Sequence, residues 1–131
     1  MVVESVAAFP RYTAFFNFPS GGRTHGWKYV VDSNLDWGQD MLRLQNYLAG
    51  RGAIKVCIEV MGLVPLEQSG IHTAPIPSSR EQARQQGCLV VVGLTQMYQM
   101  QSFDGYLDWL NGMQPSDRVG DSFWVYDPGG R

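Results

Sequence analysis

Basic residues are scarce in this sequence. Lys and Arg total 10 against 12 Asp and Glu in 131 residues, a formal net charge of −2. They form no run or stripe, which argues against a nucleic-acid partner. Long apolar runs are missing too. No window reaches the roughly 18 uninterrupted apolar residues of a bilayer-spanning helix, so no transmembrane segment is expected. Met1 to Phe9 lacks a basic start and carries Glu4, and so does not read as a signal peptide. The two histidines, His25 and His72, stand alone in sequence and read as loop or surface residues. The two cysteines, Cys57 and Cys88, have no metal-ligand spacing. Both lie in apolar runs and read as buried thiols in strands. A disulfide between neighbouring strands would require a domain outside the cytoplasm. No GxSxG, HExxH or phosphate-binding glycine loop is present, so no self-sufficient active site is visible and no cofactor or metal is implied.

What remains is a chain of one domain's size with an apolar lean: 44% hydrophobic, 12% aromatic, with four Trp and six Tyr. Val2 to Phe9 reads as a short strand. Pro10 to Phe18 is aromatic-rich and is broken by Pro19-Ser20-Gly21-Gly22. Residues 1–26 are expected to pack as an aromatic segment on a single domain. Trp27 to Val31 is a strand candidate, followed by a helix from about Leu35 to Leu48. In that helix Trp37, Met41, Leu44 and Leu48 make one apolar stripe, stopped by Gly50 and Gly52. Ile54 to Val60 is the next strand, which makes a βαβ unit. Thr73 to Ser78 reads as a loop. Ser78 and Glu81 form a capping-box pattern for a short polar surface helix that ends before Gly87. Cys88 to Leu94 is a continuous apolar run, as in a strand buried on both faces. Tyr106 to Leu110 suggests another helix, closed by Gly112 and Pro115. Ser122 to Tyr126 reads as the last strand, before Asp127-Pro128-Gly129-Gly130. The expected fold is α/β: a small three-layer, Rossmann-like sheet of about four or five mostly parallel strands flanked by helices.

The densest polar chemistry follows the Tyr29-Val30-Val31 run, in Asp32-Ser33-Asn34-Leu35-Asp36-Trp37-Gly38-Gln39-Asp40. Asp32, Asn34 and Asp36 alternate like the start of a calcium loop. The match then fails, because Gly38 comes one place late and Arg43 stands where the bidentate Glu belongs. Asp32, Ser33 or Asn34 suits a helix cap, and Asp36 suits the positive end of the helix dipole. The candidate ligand-binding residues are Asp32, Asn34, Asp36, Trp37, Gln39 and Asp40. Trp37 offers a face to a sugar and the others bond hydroxyls, although core packing also explains Trp37. Gly21-Gly22-Arg23 lacks the strand–loop–helix setting of an anion site.

The strings Ala8-Phe9-Pro10-Arg11-Tyr12-Thr13-Ala14-Phe15-Phe16-Asn17, Gly21-Gly22 and Asp32 to Asp40 carry a family resemblance. So do Gly62 to Ile71, Trp109-Leu110, Pro115, Gly120 and Ser122 to Tyr126. Together they resemble the C-terminal soluble region of bacterial polyprenol-phosphate-sugar-dependent membrane glycosyltransferases, relatives of the dolichyl-phosphate-mannose protein mannosyltransferases. The Ser33 to Asp40 string is the specific part. Val64 to Gln68 and Val92 to Gln96 match only loosely. In that family the chemistry belongs to the membrane-embedded part, so no catalytic residue carries over. The resemblance implies an accessory domain outside the cytoplasmic membrane. Its implied partners are a polyprenyl-linked sugar or glycan acceptor and a membrane-embedded transferase domain. A free-standing chain would instead be cytoplasmic. Two other readings compete: a small stand-alone α/β enzyme with its site at the strand carboxyl ends near Asp32 to Asp40, and a purely structural interaction domain.

Overall fold

The computed structural model describes residues 38–52, 55–60, 66, 71–100 and 105–130. The expected strands at 2–9 and 27–31, the aromatic segment, and Asp32, Asn34, Asp36 and Trp37 lie outside the described residues. Within them the molecule is a mixed α/β domain with a five-stranded open sheet flanked by helices. Helix α1 is Met41–Gly50, strand β1 Val56–Glu59, strand β2 Thr73–Ala74, helix α2 Arg80–Gln86 and strand β3 Leu89–Gly93. Strands β4, Asp117–Val119, and β5, Phe123–Tyr126, follow.

The sheet order is β2-β1-β3-β5-β4. β1 pairs in parallel with β2 and with β3, whereas β5 pairs antiparallel with β3 and with β4. Among the described residues the sheet is therefore half parallel, not mostly parallel as expected. The difference comes from β5, which runs antiparallel to β3, and from β4, which the sequence reading missed. Its three residues, Asp117, Arg118 and Val119, carry two charges and too little apolar pattern to read as a strand. Only the tight link to β5 makes them the edge of a hairpin.

Alternation along the central strands builds two cores. Leu89 and Val91 of β3, with Phe123 and Val125 of β5, pack with Leu44 and Leu48 of α1. Val90, Val92, Trp124 and Tyr126 point to the opposite face, with Ala83 of α2 and Leu107 and Leu110 beyond. All five residues of β3 are buried, as the unbroken apolar run implied. The layers are helix, sheet and helix.

α1 starts later than its apolar stripe suggested. Gly38 has φ +81°, outside the helical range, and residues 38–40 form a turn. Leu44 and Leu48 are buried, and Met41 packs beside them. α2 is also capped one residue later than read. Ser79 Oγ accepts from Gln82 N at 3.2 Å, and Gln82 Oε1 accepts from Ser78 N at 2.9 Å, a capping-box arrangement. Gly87, at φ +59°, closes α2, with Cys88 N donating to Ala83 O and Gly87 N to Arg84 O. The stretch read as a closing helix is only a 3-10 turn, Asp108–Leu110. A second irregular turn, a π-helix at Gln96–Met100, follows β3. The two residues of β2 fall in the stretch read as a loop.

The cysteines correct a second expectation. Cys57 in β1 and Cys88, the residue before β3, are joined by a disulfide, with Cα atoms 5.7 Å apart. Adjacent strands hold Cα atoms within the 4.4–6.8 Å range that such a bond needs. Two apolar runs that each looked like a separate buried strand turn out to be neighbours in the sheet.

Candidate functional site

The polar string that stood out in the sequence ends at Asp40, immediately before α1. Asp40 is 1% exposed, and both of its carboxylate oxygens are engaged. Oδ1 accepts from Arg43 Nη1 at 3.0 Å. Oδ2 accepts from the backbone N–H of Asp121 at 2.7 Å and from Ser122 Oγ at 3.1 Å. Ser122 Oγ in turn accepts from Gln39 Nε2 at 3.1 Å. The Ser122 carbonyl accepts from Leu94 N at 2.8 Å, just beyond the end of β3. One unbroken set of hydrogen bonds thus ties the start of α1, the β4–β5 turn and the carboxyl end of the central strand.

The turn is shaped for this contact. Gly120 has φ +63°, and a Cβ built there would collide with the Asp40 carboxylate. Glycine is required twice over, by conformation and by space. The hydroxyl and backbone N–H of the turn can then approach the carboxylate directly. Asp40 is buried as a charge but is compensated by a cation and two further donors, as a buried carboxylate must be.

Sequence reading missed a second group at the same edge. Thr95 and Gln96 follow β3 and are 0% and 6% exposed. Among the described residues Thr95 Oγ1 and Gln96 Oε1 have no hydrogen-bond partner. Glu59 ends β1, the parallel neighbour of β3, and burial pushes its carboxyl above the usual carboxylate range. A signal for Thr95 and Gln96 was present in the sequence. Both are polar residues that stop an apolar run, the same grammar as Val31-Asp32. Polar groups therefore collect at the carboxyl ends of the two central parallel strands, where open α/β sheets bind ligands.

Of the six candidate ligand-binding residues, the structure brings Gln39 and Asp40 together at this edge. Asp32, Asn34, Asp36 and Trp37 precede them directly in sequence, outside the described residues. His72 is exposed, as a surface histidine should be. No group of three or more His, Cys, Asp or Glu among the described residues is placed to hold a metal ion. No described helix is long and apolar enough to cross a membrane. No family model, curated protein or solved structure matches this chain.

Proposed function

We propose that this chain is a non-catalytic binding domain of the kind found as the soluble C-terminal region of polyprenol-phosphate-sugar-dependent membrane glycosyltransferases. Its ligand is a sugar, or the acceptor that receives one. The observation that carries this reading is the Asp40 anchor. It fixes the end of the Asp32 to Asp40 string at the carboxyl edge of the sheet, beside a chain segment whose polar atoms at Thr95 and Gln96 have no partner among the described residues. Asp32, Asn34, Asp36 and Gln39 then supply hydroxyl partners and Trp37 an apolar face. Asp40 acts as a positioning residue, because its oxygens already serve the fold. A strand at 27–31 joined in parallel would complete a Rossmann-like sheet, with the string at its carboxyl end.

The Cys57–Cys88 disulfide supports a place outside the cytoplasm, where such bonds persist. A membrane-embedded transferase domain is the corresponding partner. Calorimetric or NMR titration of the chain with short glycans tests the ligand. Asp36→Ala and Gln39→Ala should abolish binding while the fold is kept. Retained binding in both variants would overturn this assignment.

One observation favours a second reading, a small α/β enzyme using the same edge. Glu59 is a partly buried carboxyl with a raised pKa at a strand end, a common setting for an acid catalyst. Turnover of a glycosyl or phosphoryl substrate by the isolated chain, lost in Glu59→Gln, would establish it and sink the non-catalytic reading.

A further inference from the structure

On the opposite face of the sheet from α1 lies a cleft of about 520 Å³, within the usual range for small-ligand sites. Its floor is Trp124 and Tyr126 of β5, and its rim is the loop that runs from Leu110 into β4. Tyr126 is 1% exposed, and its hydroxyl has no hydrogen-bond partner among the described residues. Burial holds that phenol protonated well beyond the ordinary tyrosine range, so the oxygen keeps a proton to donate. Arg118 is exposed, with its guanidinium 5.1 Å from the Trp124 ring centre. Its charge also acts on the Tyr98 and Tyr126 phenols, which places all three groups in one neighbourhood. Among the described residues that line the cleft there is no Asp or Glu.

These groups define a ligand. Asp117, the neighbour of Arg118 in β4, accepts from the Arg118 backbone N–H with Oδ1 at 2.8 Å and faces Arg51 with Oδ2 at 3.8 Å. The Arg118 guanidinium is therefore the charge that the described lining offers, and a cation selects an anion. The amide of Gln114 suits a hydroxyl group, and Met113 and Pro115 suit the C–H face of a saturated ring. A flat aromatic guest is disfavoured. Arg118 lies over the Trp124 ring, and Tyr98 and Tyr126 meet that ring at steep angles, 81° and 74°, with centroids 5.8 and 6.5 Å away. We infer that this cleft binds an acidic monosaccharide, a hydroxylated ring with one carboxylate or phosphate, its acid on Arg118 and an oxygen accepting from Tyr126. The site is separate from the Gln39–Asp40 edge and stands whether or not that edge binds a ligand.

The test is an NMR titration of the full chain with glucuronate, glucose 1-phosphate, benzoate and neutral glucose. At least one acid should give saturable shifts centred on residues 111–118, and its binding identifies which acid group the site prefers. Glucose should bind about tenfold more weakly, the size of one charge-assisted contact. Arg118→Gln and Tyr126→Phe should each weaken the acid about tenfold. The melting temperature of Tyr126→Phe should hold or rise, because that hydroxyl serves no protein group. Any of three results would overturn the assignment: no saturation by either acid, glucose binding as tightly, or benzoate binding more tightly than both acids. A Tyr126→Phe chain that melts earlier would do so as well.

Discussion

At the scale of single residues, Asp40 carries the most structural consequence. Removing its carboxylate in Asp40→Ala would leave the Asp121 N–H, the Ser122 hydroxyl and the Arg43 guanidinium without their acceptor. The expected loss is about 3 kcal/mol, since buried donors deprived of a charged partner are costly. For a chain of this size that lowers the melting temperature by roughly 10 °C. Gly120→Ala should cost about 2–4 kcal/mol, from a strained positive φ plus the collision with Asp40. Because they remove one contact, the double variant should lose less than the sum of the two. Thermal melts of the three variants check all of this, and strict additivity would refute the shared anchor. Tyr47 gives a pH-dependent outcome. Burial first, and then the Asp117 carboxylate, raises its phenol from the ordinary 10.0 to about 12. The folded state thus holds this proton more tightly than the unfolded chain. The associated stability is intact below pH 10 and is lost as pH rises from 10 through 12. Alkaline melts of Tyr47→Phe should fall less steeply across that interval than those of the parent chain.

At the scale of elements, legibility followed the strength of local signals. β3 was plain because a strand buried on both faces needs an apolar residue at every position, and Leu89 to Val92 supply one each. α2 was plain because its two ends carry cap chemistry, Ser78-Ser79 before it and Gly87 after it. Ser79→Ala should therefore cost about 1 kcal/mol, read as a drop in urea midpoint with unchanged slope. β2 and β4 were not legible, since two or three residues carry no period and become strands only through their neighbours. The closing helix was over-read. Tyr106, Leu107, Trp109 and Leu110 are apolar on a helical spacing, but Leu107 and Leu110 reach the core from a single 3-10 turn. The start of α1 was over-read for the opposite reason. The Trp37 to Leu48 stripe ran straight through Gly38, whose positive φ breaks the helix there. Of the candidate site, the string was visible but its anchor was not. Asp40 and Asp121 are 81 positions apart, beyond the reach of any local pattern.

At the scale of the whole molecule, two long-range ties hold the sheet. One is the Asp40 anchor. The other is the Cys57–Cys88 disulfide, which spans 31 positions between β1 and β3. Closing a loop of that length stabilises by about 3.7 kcal/mol through the unfolded chain. Replacing both cysteines by Ala should lower stability by that amount. The parent chain should resist reductant while folded, because Cys57 and Cys88 are 0% and 1% exposed. Thiol titration with and without urea checks the second expectation, and melting with and without the cysteines checks the first. A pair of thiols that reacts at once in the native chain would contradict it.

The position of β5 reaches further than its four residues suggest. It comes late in the chain yet lies inside the sheet, between β3 and β4, and the turn before it supplies the partners of Asp40. A chain emerging from a ribosome or a translocon therefore exposes one whole side of β3 until almost all of these 131 residues are out. An open apolar strand edge is a template for self-association. Loss of even the last dozen residues would do more than shorten the domain: it would leave that edge permanently bare, and the truncated chain would be recovered as aggregate.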